Sequence, residues 1–519
     1  FIGLPTHSVA RDIPTASLRQ YSTKTQILFL KTEDKKMMYQ STRGGAEKVS
    51  AAQAIKQGLT ADGGLFMPTE IPKVDAQKLT ELAKMDYAHR AATVLSMFLD
   101  GYTYDELLAD CESAYGEERF PGGAAPVRSY SDNIKMLELW HGPTCAFKDM
   151  ALQIMPRLLS RALEKTDEKR TALILVATSG DTGKAALEGY RDVKGVKIQV
   201  FYPVDGVSQI QKKQMATQRG NNVSVCAIHG NFDDAQNGVK RLFSDRALAG
   251  ELDARGVFLS SANSINWGRL APQIVYYFSA YCDMVNTGEI KQGDKIAVCV
   301  PTGNFGNIFA AYIAREMGLP ISRFICASNK NNILTDFIDT GVYDRNRDFY
   351  TTMSPSMDIL ISSNLERLLY TVAGTKKTAE YMARLARDGR YEVSDDVKEA
   401  IKRDFVGAFT GEEETAKTIA EAFADGYLCD THTAVALNCA KKYAHENPDE
   451  KILVVSTASA YKFAGSVYNA IGGEKLDDEF DIIDALEKKT GVAVPAPLAA
   501  LKNLDIRFNR TISASDMRE

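Results

Sequence analysis

The chain is predicted to be an α/β protein built on mostly parallel β-sheet with helices on both faces. Three observations carry that prediction. First, short and almost wholly apolar runs recur at 172–177 (ALILVA), 196–202, 223–228, 295–300, 324–327 and 452–455. Second, segments with apolar residues at helical spacing follow several of them, to about Val193, Gln218, Ala247 and Met317. Third, the joints between strand and helix are rich in Gly, Ser, Thr and Asn. A strand covered on both faces loses the apolar–polar alternation of a half-exposed one, and parallel neighbours need a long crossover, usually a helix. The pattern leaves open which α/β architecture is built.

Taken in order, residues 1–37 hold Thr, Ser, Arg and Lys with only Asp12, Glu33 and Asp34 as acids. They read as an upstream extension, poorly ordered, with a transit-peptide remnant as the alternative. Residues 46–115 read as helical, interrupted by the turn Asp62-Gly63-Gly64 before Leu65-Phe66-Met67-Pro68. Phe120-Pro121-Gly122-Gly123 breaks the chain and is expected to be a linker. Residues 133–139 (NIKMLEL) alternate as a strand does, and Gly142-Pro143 ends that run because proline has no N–H for a ladder. Met150 to Leu163 carries apolar residues at helical spacing. Residues 366–428 are charged and helical in pattern and are expected to be a solvated helical section.

Composition narrows the function. The chain has 519 residues, enough for two or three domains, and a formal net charge of −5. That balance argues against a nucleic-acid or anionic-membrane partner. No apolar run approaches the roughly 18 residues that span a bilayer. Eight cysteines without a C-x-x-C spacing argue against a metal knuckle or disulfide framework and for a reducing compartment. The six histidines form no metal-ligand pattern.

The chemistry is expected around Lys148. It sits between the end of one strand and the start of a helix, where the positive end of the helix dipole disfavours a cation. Its neighbours are apolar, and desolvation would lower the pKa of its amine. A lysine so placed suits Schiff-base chemistry, although a surface lysine at a helix start has the same spacing.

Other loops could hold charge. Gly303-Asn304-Phe305-Gly306-Asn307 follows a strand and opens a helix, so free N–H groups could cradle an anion there. Thr178-Ser179-Gly180-Asp181-Thr182 has the same strand-to-helix setting and could equally be a helix cap. In Asn263-Ser264-Ile265-Asn266-Trp267-Gly268-Arg269, the amide, hydroxyl and guanidinium could converge on a phosphate, with a capped helix and an exposed arginine as the alternative. Thr457 follows the last apolar strand and could cap the helix beginning near Tyr461. His432 is expected to be structural rather than catalytic.

The segment HGPTCAFKDMALQ (141–153) resembles the lysine segment of threonine synthases, pyridoxal-phosphate enzymes of fold type II. GLTADGGLFMP (58–68), ATSGDTGKAA (177–186) and SANSINWGRLAPQ (261–273) agree with it in the same order, and the resemblance runs from about Met38 to beyond Phe463. It implies two open, twisted, mostly parallel sheets covered by helices, plus a small N-terminal domain over 38–125. It further implies a larger cofactor-binding domain from 126–165 and 263–519, and a smaller α/β domain over 166–262. The implied reaction converts O-phospho-L-homoserine and water to L-threonine and phosphate, the last step of threonine biosynthesis.

In that reading Lys148 carries pyridoxal 5′-phosphate as a Schiff base. Phe147, Gly303, Asn304, Phe305, Gly306, Asn307 and Thr457 complete the cofactor site. Thr178, Ser179, Gly180, Asp181 and Thr182 receive the substrate carboxylate, and Asn263, Ser264 and Arg269 its phosphate. Asp181 departs from the asparagine of many relatives outside the threonine synthases. Thr431 replaces the proline of the family's Asp-Pro-His-Thr block. A cytoplasmic monomer or homodimer is expected, or an organellar one if residues 1–37 are a transit remnant. The competing readings are a threonine dehydratase or O-phosphoserine-type lyase on the same fold, of which the Asn263, Ser264 and Arg269 set, in favouring a phosphorylated substrate, argues against a simple dehydratase, and a silent phosphate-binding relative, which Lys148 argues against.

Overall fold

The computed structural model describes residues 36–205 and 207–519, so the expectation for the N-terminal extension lies almost wholly outside the described residues. The larger sheet has six strands in the order Phe405–Phe409, Ile321–Ser328, Ile296–Pro301, Lys451–Ser456, Ile134–Glu138 and Val127–Ser129. All neighbours are parallel except the last pair, which is antiparallel. The smaller sheet has five parallel strands, ordered Thr511–Ser513, Val223–His229, Val196–Pro203, Thr171–Ala177 and Val257–Ser260. Every apolar run read from the sequence lies in one of these strands, except that Lys295 falls just before Ile296–Pro301. Ile296–Pro301 is buried along its whole length, as its unbroken apolar sequence requires.

A third, antiparallel sheet joins Val49–Ser50, Met38–Ser41 and Phe66–Pro68, and helices between Ala51 and Tyr115 pack with it. The central helix Trp267–Asn286 is buried on nearly every side, which is why its sequence lacks a polar stripe. No helix among the described residues is long and apolar enough to cross a membrane. The eight cysteines are all buried and unpaired.

Four local differences from the sequence reading have physical causes. The helix expected from Met150 to Leu163 is two helices, Asp149–Leu152 and Met155–Lys165. Pro156 has no N–H to give the Leu152 carbonyl. Gly189 packs against that carbonyl so closely that an added Cβ would lie 1.7 Å from its oxygen. Residues 366–428 are not only helical: Phe405–Phe409 is the edge strand of the larger sheet, and Arg390–Glu392 pairs with Val342–Asp344. Five residues are too few for periodicity to separate a strand from a helix turn. Phe120 is wholly buried against Tyr115, so the Phe120–Gly123 break is anchored at its first residue, while Pro121, Gly122 and Gly123 are exposed. Finally, Thr511–Ser513, which the sequence reading groups with the larger domain, adds a strand to the edge of the smaller sheet.

Candidate active site

In an open parallel sheet the ligand crevice lies beyond the carboxyl ends of strands, where the strand order reverses. Both sheets carry their candidate residues at such strand ends. In the larger sheet the loops leaving Ile296–Pro301, Lys451–Ser456 and Ile134–Glu138, three adjacent strands, carry residues 302–307, Thr457 and Lys148. In the smaller sheet the adjacent strands Thr171–Ala177 and Val257–Ser260 lead into residues 178–182 and 261–269.

The lysine loop is braced from two sides. Buried Asp149 accepts the backbone N–H and the hydroxyl of Thr144, both at 2.8 Å, which closes the turn after Gly142-Pro143. Burial pushes the Asp149 carboxyl up to about 6. Phe147 N–H donates to the Thr457 carbonyl at 2.8 Å, and Ser459 N–H donates to that of Cys145 at 3.1 Å. These bonds stitch the lysine loop to the loop after Lys451–Ser456.

Lys148 Nζ then lies 3.3 Å from Ser356 Oγ, 3.8 Å from Asp181 Oδ2 and 5.3 Å from the centre of the Phe147 ring. Burial lowers the basicity of this amine. Asp181 opposes that effect, while Arg269 and Lys462 add to it.

Asp181 is not left alone as a carboxylate. Lys462 Nζ sits 2.9 Å from its Oδ1 with no exposed side-chain surface, and Gln211 donates to the same oxygen at 2.9 Å. Burial resists ionisation of Asp181, but Lys462 and then Lys148 hold its carboxyl well below the usual range. In the same loop Thr178 Oγ1 accepts the N–H groups of Gly180 and Gly183, each at 3.0 Å. Gly180 has φ +143°, and a Cβ there would meet the Gln211 side chain at 2.3 Å, so only glycine fits. Ser179 is exposed and Thr182 partly so.

The loop 302–307 opens the helix Gly306–Met317 from Phe305, which is left-handed (φ 62°) and provides no side-chain cap. The first helical bond runs from Phe309 N–H to Phe305 O at 3.0 Å, so the amides before it have no partner within the helix. Asn307 Oδ1 accepts from Tyr276 at 2.6 Å and Tyr277 at 2.5 Å, which turns its Nδ2 into a buried position without a protein partner. Gly303 and Asn304 are tied through their carbonyls to Ser362 Oγ (2.7 Å) and Asn364 N (3.0 Å).

The remaining loop matches neither of its two readings in full. Asn266, not Asn263 or Ser264, caps the helix Trp267–Asn286 and accepts from Gly268 N at 2.8 Å. Asn263 is exposed and Ser264 partly so, with Ser264 Oγ 3.3 Å from Asn263 Oδ1. Arg269 is buried, with Nη1 on the Ala262 carbonyl at 2.8 Å. Among the described residues no carboxylate pairs with it, and burial pushes it down to about 10. Likewise Thr457 is not a cap, because Ser459 takes that part with a 3.4 Å bond from Tyr461 N.

Four residues of the crevice escape sequence reasoning. Lys462 has a faint signal, a lysine between Tyr461 and Phe463 in an otherwise uncharged stretch. Ser356 has none, since it lies in the short 3₁₀ turn Pro355–Met357, within a stretch that otherwise carries no regular structure. Arg367 is wholly buried and reaches the carbonyls of Phe66 (3.2 Å) and Ile265 (2.6 Å), with Asn364 beside it. Arg367 and Asn364 thereby tie the 261–269 and 302–307 loops to the N-terminal sheet, a long-range role that spacing cannot reveal. Among the described residues no group of acids, histidines and cysteines could hold a metal ion.

Fold and site define a pyridoxal-phosphate-dependent enzyme of fold type II, and residues 134–458 match the family described as pyridoxal-phosphate dependent enzyme. Residues 38–115 match the threonine synthase N terminus, and 433–509 the threonine synthase C-terminal region. The chain belongs to the threonine synthase family. It is 37% identical over 471 residues to threonine synthase of Pseudomonas aeruginosa, covering 90% of this chain and 97% of that one. The crystal structure of pyridoxal-phosphate-bound threonine synthase from Brucella melitensis superposes with a TM-score of 0.83 at 36% identity, covering 92% and 97% of the two chains. Human threonine synthase-like 1 is 40% identical over 448 residues, 83% of this chain, and the chain spans 60% of that relative's length.

Proposed function

We propose that this protein is a threonine synthase that converts O-phospho-L-homoserine and water to L-threonine and phosphate with pyridoxal 5′-phosphate. The observation that carries the reading is the buried Arg269. It is a guanidinium with no carboxylate partner among the described residues, close enough to Lys148 to lower the basicity of its amine. Such a pair suits a reaction in which one amine handles protons and one fixed cation holds a phosphate.

The residues fit the cofactor. Gly303 has no room for a side chain, Asn307 Nδ2 is buried and unpaired, and the amides at the start of Gly306–Met317 lack helical partners. Gly303, Asn304, Phe305, Gly306 and Asn307 would hold the phosphate, Lys148 the aldehyde carbon, and Thr457 would face the ring nitrogen. When bound, pyridoxal phosphate supplies an aldehyde that condenses with an amine and a ring that takes up electrons from Cα.

The protein's own groups do the rest. Lys148 Nζ, less basic than an exposed lysine, takes the proton from the substrate's Cα. The 178–182 loop receives the substrate carboxylate, with Asp181 paired to Lys462 so that it does not repel an anion. Asn263, Ser264 and Arg269 bind the phosphate in the ground state and as it leaves from Cγ, where a fixed cation helps most. Water's oxygen ends on Cβ. A monomer or homodimer resident in the cytoplasm belongs to the same proposal.

The test is to incubate pure protein with pyridoxal phosphate and O-phospho-L-homoserine and to measure phosphate and threonine together. Equimolar release supports the reading. Phosphate without threonine, or 2-oxobutyrate in its place, would move the protein to a lyase activity.

A further inference from the structure

One carboxylate stands between two lysines in this crevice. Asp181 Oδ1 is 2.9 Å from Lys462 Nζ, and its Oδ2 is 3.8 Å from Lys148 Nζ. Lys462 is fixed by a second bond, 2.6 Å to Gln214 Oε1, and Gln211 fixes Asp181. The three charges come from three separate elements: the helix Asp149–Leu152 that follows Lys148, the helix Asp181–Tyr190, and the short 3₁₀ turn Ala460–Phe463. Lys462 is wholly buried, and a buried ammonium is costly unless paired. Asp181 is its one ion-pair partner among the described residues.

We propose that Lys462 is a positioning residue that tunes Lys148 through their shared counter-ion, Asp181. With Lys462 in place the carboxylate is drawn to Lys462 and gives Lys148 only a longer contact. Lys148 is thereby kept readier to exist as a free amine than a lysine with a carboxylate of its own. The inference deepens the proposed role of Lys148 as the proton-handling amine and rests on that reading. The other groups bearing on Lys148 are Arg269 from the helix Trp267–Asn286, Asp430 at the start of Thr431–Glu446, and the Ser356 hydroxyl. None of them joins Lys462 to Asp181.

The arrangement has a signature that general damage to the site would not produce. Lys462→Met leaves Asp181 wholly to Lys148, so the Lys148 amine should become more basic. Asp181→Asn removes the counter-ion and leaves two cations facing each other, so the same amine should become less basic. Each shift should be roughly one pH unit, in opposite directions. Lys462→Arg, which keeps the charge, should restore most of the wild-type value, and the double variant Lys462→Met/Asp181→Asn should lie between the two single ones.

The measurement is competitive acylation of the full chain, freed of cofactor, by acetic anhydride over a range of pH. Labelling of Lys148 is read by mass spectrometry, and folding of each variant by circular dichroism. If Lys462→Met is poorly folded, the Asp181→Asn and double variants still decide the matter. Shifts of the same sign, or none, would overturn the proposal. Borohydride trapping of pyridoxal phosphate tests the underlying reading separately. Trapping on Lys148 with unshifted acylation would defeat only the role of Lys462, whereas trapping on another lysine would defeat the role of Lys148.

Discussion

His432 Nε2 accepts the backbone N–H of Ser356 at 3.1 Å, and its Nδ1 meets Asp430 Oδ2 at 2.7 Å. An amide can only donate, so Nε2 carries the lone pair and Nδ1 carries the proton given to Asp430. His432 therefore holds the turn whose Ser356 hydroxyl touches Lys148 and whose Ser356 carbonyl abuts Gly303. His432→Ala should strand a backbone donor and weaken both turnover and cofactor binding by roughly fivefold or more. His432→Gln, which keeps an acceptor, should recover most of the loss. Steady-state kinetics and a cofactor titration check this, and a Gln variant as poor as the Ala variant would point to a role for the imidazole itself.

Lys148→Ala should abolish turnover and the near-visible absorbance of bound cofactor while leaving the fold intact. Lys148 makes no side-chain capping bond to the helix it precedes, so its loss removes no cap. Activity close to wild type with free cofactor would refute its assignment. Far-ultraviolet circular dichroism separates this from misfolding.

Gly303→Val should weaken binding of pyridoxal phosphate. The structure supplies a specific reason: the first atom of any side chain at 303 would lie 2.7 Å from the Ser356 carbonyl oxygen, so the loop or the turn must give way. A cofactor dissociation constant equal to wild type would remove this loop from the site.

Arg269→Lys keeps a charge but loses the planar fork. A charge-assisted hydrogen bond is worth about 1.5–3 kcal/mol, so kcat/KM for O-phospho-L-homoserine should fall roughly 10- to 150-fold. Binding of unphosphorylated homoserine should change little. Equal losses for both ligands would make Arg269 a structural residue.

Asp149 provides a pH test. Its carboxyl is pushed up to about 6 in the folded chain against about 3.9 when unfolded. The folded state therefore holds the proton more tightly, and this contribution to stability is fully present below about pH 4 and lost as pH rises to about 6. Asp149→Asn removes the titration. Relative to wild type, the variant should gain roughly 2–3 kcal/mol between pH 4 and pH 7 in urea unfolding, whatever fixed cost the lost Thr144 bond imposes. A constant difference across that range would show that Asp149 is ionised in the folded protein.

Most strands of the two sheets were legible because burial on both faces leaves an apolar run that needs no partner to be seen, whereas the short Val127–Ser129, Val257–Ser260 and Thr511–Ser513 were not. Lys148 and the 302–307 loop were legible because strand ends and helix starts are local events. Arg269 was visible by type and spacing, but its burial was not. Phe405–Phe409 escaped because five apolar residues after a charged helix do not declare their partner strand. Ser356 and Arg367 escaped because they matter only through atoms far away in the chain.

The sequence by itself determined the α/β class, the position of the lysine, the loops that face the crevice and the family resemblance, since each depends on neighbours within about a dozen residues. Only the tertiary structure decided which of those loops meet and what charge each side chain feels. Asp181 shows the difference. In the sequence it is a carboxylate in a loop expected to receive an anion. In the folded chain Lys462, 281 positions later, neutralises it from a wholly buried site. Electrostatics in a low-dielectric crevice acts through distance in space, and chain spacing carries no record of that distance.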